Sequence, residues 1–182
     1  MPLLNTITTP YADAFLQVCD ANGDTDAVID QARAILALWH DSSDLREAMA
    51  SPVLEVEGKK AALEQLFGAA ISPSFLNLLK LLADRQRIGF LDAVLERLLE
   101  LYREQNQIAL ATVTSASPLS DEQQALLAEK AKAVAGTDKV EISLAVDPAL
   151  IGGFVLSVGS RVIDASLAGQ VRRLGLTLAN VS

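Results

Sequence analysis

The sequence DPALIGGFVLSVGSRVIDAS, residues 147–166, is the most informative part of this chain. Gly152-Gly153 allows a close backbone approach or a positive φ, where a Cβ would clash. Gly159-Ser160 is a two-residue hairpin loop between two apolar runs, and Ser166 is suited to cap a following helix. We therefore predict a β-hairpin followed by a helix, an architectural segment without catalytic groups. The predicted strands are Phe154–Val158 and Arg161–Asp164.

Working outward toward the N-terminus, period-two alternation predicts two more strands, at residues 108–114 and 140–146. Between them Ser120 and Gln123 have the spacing of a capping box, and the helix that they open would end before Gly136. Two strands, a helix, a hairpin and a last helix form a small α/β unit, which we predict over residues 106–182.

The first 105 residues show helical periodicity instead. The first helix is predicted to begin at Thr9-Pro10, with proline at its first position, and to end at Asn22-Gly23. Five more helices are predicted, one after Asp24 and the others at 44–50, 56–67, 72–84 and 88–105. The predicted core face of the first helix is Tyr11, Ala14, Phe15, Val18 and Cys19. The predicted fold class is α+β and multidomain, with an N-terminal six-helix bundle (1–105) and a small C-terminal α/β domain (106–182).

The composition of the chain excludes several classes of protein. Hydrophobic residues make up 51% of the chain and the net charge is −8, which excludes disorder and argues against nucleic-acid binding. No apolar run approaches the roughly 18 residues that span a bilayer. The start of the chain has no basic or Arg/Ser-rich character, so we expect no signal or transit peptide.

The residues that could carry catalysis are few. His40 is the only histidine and lies at a predicted helix end, while Cys19 lies on an apolar face, where a buried thiol is inert. Gly58-Lys59-Lys60 lacks the Ser/Thr and the earlier glycine of a phosphate loop. We therefore expect no catalytic residue, no metal and no cofactor.

Three separated segments resemble one protein family. The order D-P-x-L-I-G-G-F, then V-G-x-x-V-I-D-x-S, then a helix with Q-V-R-R-L at 170–174 resembles the C-terminal signature of the delta subunit of F-type ATP synthases. This family includes the mitochondrial oligomycin-sensitivity-conferring protein. P-Y-A-D-A-F at 10–15 is similar to the family's opening helix, and N-L-L-K-L-L-A-D-R-Q-R-I at 77–88 to its middle. One departure is Ala165, where the family more often has glycine.

The resemblance implies a non-catalytic stator subunit that links the alpha/beta head to the b-type peripheral stalk and resists rotor torque during ATP synthesis. One copy per complex is expected. It would lie on the cytoplasmic or stromal side of a plasma or thylakoid membrane and contact that membrane only through partners.

The resemblance also implies two partner sites. The N-terminal segment of an alpha subunit would dock as a helix between the first and fifth helices, where Leu81 falls off the predicted core face. The residues expected there are Tyr11, Ala14, Asn77, Lys80, Leu81 and Asp84. The b-type C-termini would meet the second domain in a region that includes Gly152, Gly153, Arg172 and Arg173.

The residues alone leave two other functional hypotheses open. The first is a generic helix-bundle adaptor that binds an amphipathic peptide in another complex, which partner identity in a pull-down would distinguish. The second is a small-molecule enzyme built on the α/β unit, for which no convergent polar site is visible.

Overall fold

A computed structural model describes residues 2–51 and 53–172, with side chains from Thr6 onward. The chain divides into two compact units, Met1–Tyr102 and Arg103–Ser182. It mixes helices with one four-stranded sheet. Within the two described ranges, none of the helices combines the length and the apolar character that crossing a bilayer demands.

The first unit is helical throughout its described part. Side-chain caps set two of the helix starts, since the hydroxyls of Ser42 and Ser72 accept hydrogen bonds from the backbone amides of Leu45 and Phe75. Gly23 adopts φ +74° just after the first helix, as a helix-ending glycine does. The helices of residues 2–106 are α1 (Pro2–Asn22), α2 (Thr25–Asp41), α3 (Ser43–Ala50), α4 (Val56–Phe67), α5 (Pro73–Asp84) and α6 (Leu91–Asn106), with a 3₁₀ turn (Ile88–Phe90) before α6.

The start of α1 corrects the sequence prediction. The helix begins at Pro2, and Pro10 lies inside it instead of opening it. Proline is suited to a helix start because its missing N–H costs nothing there, but this preference does not forbid a preceding helical turn. Here residues 3–9 contain no glycine or second proline to stop the helix.

The core face of α1 is also rotated from its predicted position. Ala12 and Leu16 are buried beside Phe15 and Cys19, whereas Ala14 and Val18 are exposed. The largest fully buried side chains of this core are Trp39, Phe75, Ile29, Leu63, Leu79, Leu82, Ile88, Leu91, Leu95 and Leu98.

The second unit is built on a sheet with strand order β2-β1-β3-β4. β1 pairs parallel with β2, and the connecting helix α7 is the crossover that parallel neighbours require; β3 pairs antiparallel with both β1 and β4. The elements are β1 (Ala109–Ser115), α7 (Asp121–Ala135), β2 (Val140–Val146), a 3₁₀ turn (Pro148–Leu150), β3 (Phe154–Val158) and β4 (Arg161–Asp164). Residues 167–172 are helical.

Local signals place these elements where the sequence predicted them. The capping box of Ser120 and Gln123 is formed at the start of α7, and Gly136 ends the helix in the left-handed conformation. The register puts Val113 between Leu144 of β2 and Leu156 of β3, on one face of the sheet. The core of this unit is Ala111, Val113, Leu127, Ala131, Leu156 and Val158.

Candidate functional site: a groove between two helices

α1 and α5 run antiparallel and leave a groove between them. At one end Arg87 Nη1 donates a hydrogen bond of 2.9 Å to Tyr11 Oη. At the other end Asn22 Nδ2 lies 3.3 Å from Ser74 Oγ. Because each helical residue rises 1.5 Å, the eleven steps from Tyr11 to Asn22 span roughly 16 Å. The groove is therefore about three helical turns long.

The groove is a cavity of about 460 Å³ with an almost wholly apolar lining. Its floor is the edge of the core, where Phe15 and Leu78 are buried and the rings of Phe15 and Phe75 lie 5.4 Å apart. Its rim carries exposed apolar side chains, with Leu81 41% exposed. The lining residues are Pro10, Tyr11, Ala14, Phe15, Val18, Ser74, Asn77, Leu78 and Leu81.

The structure brings together four of the six residues expected at this groove, namely Tyr11, Ala14, Asn77 and Leu81. The other two point their charges toward α4. Lys80 Nζ lies 2.9 Å from Glu64 Oε2, and Asp84 Oδ1 lies 3.0 Å from Lys60 Nζ. Ion pairs this exposed contribute little stability. Their effect here is to draw both side chains away from the groove lining.

Two lining residues had a signal that the sequence prediction did not use. Val18 lies one turn after Ala14, and Ser74 one turn before Asn77, so each lies on the same helix face as a residue expected at the groove. The prediction missed Val18 as a groove residue because it assigned Val18 to the core. An apolar side chain on a helix gives no local sign of which neighbour it faces.

The groove has one cationic end. The Arg87 guanidinium carbon lies 5.6 Å from the centre of the Tyr11 ring, in addition to the hydrogen bond to the phenol oxygen. These two contacts hold the Tyr11 side chain in place. None of the groove-lining residues is charged, so the wall itself offers an apolar surface.

The second expected site begins at Gly152 and Gly153, and the structure shows what these glycines do. Gly153 has φ +79°, and a Cβ there would lie 2.3 Å from the carbonyl oxygen of Ala165. A Cβ at Gly152 would lie 2.7 Å from Leu167 Cδ1. Both glycines thus let the loop before β3 pack closely against the start of the last helix.

The D-x-S part of the same segment forms a hydrogen-bonded cap. Asp164 Oδ1 accepts bonds from Ser166 N at 2.9 Å and from Ser166 Oγ at 2.6 Å. Ser166 Oγ in turn accepts from Gly169 N at 3.0 Å, which confirms it as the predicted N-cap. A Cβ at Gly169 would meet the Asp164 carboxylate at 2.1 Å. Ala165 does not adopt a positive φ, so this position does not require glycine.

Only one of the two arginines expected in that region lies within the described residues. Arg172 is exposed in the helical stretch 167–172, whereas Arg173 lies outside the described residues. Exposed apolar side chains accompany it, among them Ile151, Leu167 and Val171. Leu167 N donates a 2.9 Å hydrogen bond to the Gly152 carbonyl, so Ile151 and Leu167 belong to one surface.

The single thiol and the single histidine are in ordinary structural settings. Cys19 is 1% exposed, and burial, followed by the nearby Asp24 and Asp20 carboxylates, raises the pKa of its thiol to about 11. A thiol with that pKa is a poor nucleophile at neutral pH. His40 is exposed at the end of α2. Across the described ranges, His, Cys, Asp and Glu side chains form no cluster of three that could hold a metal ion.

Comparisons with known proteins agree with this architecture. A family model described as ATP synthase delta (OSCP) subunit matches residues 7–178. ATP synthase subunit delta of Prochlorococcus marinus (strain MIT 9303) is 72% identical over 182 residues, covering 100% of both chains. ATP synthase subunit delta of Synechococcus sp. (strain RCC307) is 66% identical over 179 residues, covering 98% of this chain and 99% of that one.

One solved structure shows the same fold. A chain in the cryo-EM structure of the Toxoplasma gondii mitochondrial ATP synthase hexamer superposes with a TM-score of 0.73 at 22% identity. The match covers 93% of this chain and 96% of that chain. With a family model and full-length relatives matching nearly every residue, the chain belongs to the ATP synthase delta (OSCP) subunit family.

Proposed function

We propose that this chain connects the catalytic head of the ATP synthase to the b-type peripheral stalk, with one unit serving each partner. As a member of the delta family, it is a structural, non-catalytic subunit of the synthase stator. In this proposal a six-helix N-terminal bundle holds the head and the C-terminal α/β unit holds the stalk. The chain thereby keeps the head from turning with the rotor, one copy per complex. It would lie on the cytoplasmic or stromal side of a plasma or thylakoid membrane, held there by its partners.

The observation that carries the head-binding half is the α1/α5 groove. It is apolar, about three helical turns long, and rimmed by exposed Leu81 and Val18. An amphipathic helix can lay its apolar face into such a groove, with anchors at every third or fourth residue. We propose the N-terminal segment of an alpha subunit as that helix. Tyr11, Ala14 and Asn77 complete its contacts, while Lys80 and Asp84 would contact it only after leaving their α4 partners.

The test of this site is Leu81→Glu in the full chain, with Leu38→Glu on α2 as the matched control. The two leucines are 41% and 46% exposed, but only Leu81 lines the groove. Burying a leucine side chain contributes about 1.5–3 kcal/mol, so Leu81→Glu should weaken binding of an alpha N-terminal peptide at least about tenfold. Calorimetric titration measures this. Leu38→Glu should bind the peptide with the affinity of the natural chain, and neither variant should lower the melting temperature.

Equal affinity of both variants for the peptide would place the head-binding site elsewhere. If Leu81→Glu unfolded the first unit, Leu81 would be a core residue and the proposed groove contact would be wrong.

The stalk-binding half rests on the surface around Gly152. Gly152 packs against Leu167 of the last helix. Exposed apolar side chains surround this contact, namely Ile151, Leu167 and Val171, and Arg172 follows them in the sequence. Apolar side chains with a cation beside them suit the C-terminal end of a stalk helix, whose last carbonyls carry partial negative charge. Gly152 and Gly153 would then shape this surface, and Arg173 would extend it.

Val171→Glu tests this half, with Leu126→Glu on α7 as its control, because the two side chains are 67% and 66% exposed. We expect Val171→Glu to weaken binding to a b-type C-terminal fragment by about tenfold and Leu126→Glu to leave it unchanged. A chain ending at Asn106 should bind the alpha peptide but not the stalk fragment. Undiminished stalk binding by that truncated chain would refute the assignment.

A further inference from the structure

A second cavity of the first unit lies away from the α1/α5 groove. It also measures about 460 Å³ and lies where the end of α3, the start of α4 and the 3₁₀ turn before α6 come together. This volume is in the range of small-molecule sites. We refer to it as the α4 pocket, lined by Met49, Ala50, Leu54, Glu55, Val56, Lys59, Gln86, Ile88, Gly89 and Phe90.

The α4 pocket is lined by a lysine that has no anion partner. Lys59 lines the pocket and is only 7% exposed, the most buried charged residue in the described part of the chain. Within the described ranges its ammonium group has no ion-pair or hydrogen-bond partner. The two other lysines of α4 and α5 are more exposed and both are paired, Lys60 with Glu57 and Asp84, and Lys80 with Glu64.

The stem of Lys59 is buried, but its unpaired ammonium group stays in contact with water. The sequence offers Glu55 one turn earlier, which also lines the pocket. However, Glu55 is exposed and forms no ion pair with Lys59 within the 4.0 Å that defines one. The pocket therefore combines an unpaired, water-accessible positive charge with walls that are mostly apolar.

The start of α4 adds a second feature that favours an anion. Glu55 occupies the N-cap position, but its side chain accepts no hydrogen bond from the first turn. The amides at the start of a helix need acceptors and carry partial positive charge. Val56, the first residue of α4, lines the pocket, so the uncapped helix end and Lys59 border the same space.

We propose that the α4 pocket binds an apolar monocarboxylate of the fatty-acid class. The carboxylate would lie between the Lys59 ammonium and the first turn of α4. The hydrocarbon tail would lie against Met49, Ile88 and Phe90. One charge on an apolar body matches one unpaired cation in an apolar cavity. The α1/α5 groove lacks a charged residue in its lining and so does not offer this chemistry.

The experiment is titration of the full-length protein with decanoate, and with decanol as a neutral analogue of the same length. We expect decanoate to bind at least about tenfold more tightly than decanol, since the charged hydrogen bond is lost in the alcohol. Lys59→Met should remove that preference, Lys59→Arg should keep it, and Lys60→Met should leave it unchanged. NMR shifts of the Met49 and Ile88 methyl groups should report the binding.

Three results would overturn the proposal. They are equal affinity for decanoate and decanol, a carboxylate preference that survives Lys59→Met, and methyl shifts confined to the α1/α5 groove. Should Lys59→Met fold poorly, the comparison of decanoate with decanol on the natural chain still decides. If the pocket instead bound only peptides ending in a free carboxylate and no decanoate, the ligand class would be wrong.

Discussion

The α1/α5 groove and the segment 147–166 differ in how recognisable their sequences are and in whether their residues serve binding or architecture. Segment 147–166 carries the most recognisable pattern in the chain, yet its glycines, Asp164 and Ser166 serve close packing and helix capping. The groove is built from common residues such as Ala14, Asn77 and Leu81, which lie in the two other family-like segments, 10–15 and 77–88. A signature can therefore identify a family through architecture, while a binding surface consists of what core packing leaves exposed.

The largest expected effect tests whether neighbouring leucines of α5 have separate roles. Leu79 is fully buried, whereas Leu81 is 41% exposed on the groove rim. Leu79→Ala should lower the free energy of unfolding by about 3 kcal/mol, through lost burial and the cavity left behind. Leu81→Ala should lower it by less than about 1 kcal/mol. Urea unfolding followed by fluorescence of Trp39, in the same core, measures both; similar losses would mean that the rim belongs to the core.

A somewhat smaller effect tests whether segment 147–166 is architectural. Gly153→Ala forces a positive φ on alanine and drives its Cβ into the Ala165 carbonyl, which should cost about 2–3 kcal/mol. Gly136→Ala is the control, because Gly136 has φ +71° with no atom near its missing Cβ. It should cost about 1 kcal/mol. Native-state hydrogen exchange of the β1 and β3 amides reports the losses, and equal costs would show that close packing at Gly153 is unimportant.

The third effect appears only at alkaline pH and concerns Cys19, the residue after Val18 of the groove. Cys19 follows the exposed Val18 but is buried, and burial raises the pKa of its thiol from 9.0 to about 11. The unfolded chain therefore releases this proton first. The thiol's contribution to stability is complete below pH 9 and is lost as the pH rises through 11.

Between these pH values, the unfolding free energy of the natural chain should fall more steeply than that of Cys19→Ala, by at most about 1.4 kcal/mol per pH unit. Tyr102, whose pKa is raised chiefly by its hydrogen bond to Asp26, is present in both proteins, so its titration cancels in the comparison. Parallel pH profiles would mean that the thiol is accessible from the groove.

Local chemistry made much of the fold predictable. α4, β3 and β4 begin and end where the sequence placed them, and α5 begins at Pro73, one residue after its predicted start. Caps, left-handed glycines and two-residue turns act within a few residues, so their effect is visible in the chain itself. The four groove residues Tyr11, Ala14, Asn77 and Leu81 were reached through family resemblance joined to the helical pattern of α5.

Other features could not be predicted because they depend on neighbours far along the chain. The first helix began eight residues earlier than its proline suggested, and its core face includes Ala12 and Leu16 in place of Ala14 and Val18. Alanine and valine are compatible with either environment. Lys80 and Asp84 left the groove because α4 presents Glu64 and Lys60 to them.

Three matching segments of the sequence were enough to identify the family. The order and type of the elements and most of their turns were also predictable, because they depend on short-range backbone preferences. Tertiary structure alone decided which apolar side chains remain exposed beside Leu81 and that Lys59 is buried without a counter-charge. Exposure is set by which helices pack together, and packing joins residues that no local pattern relates.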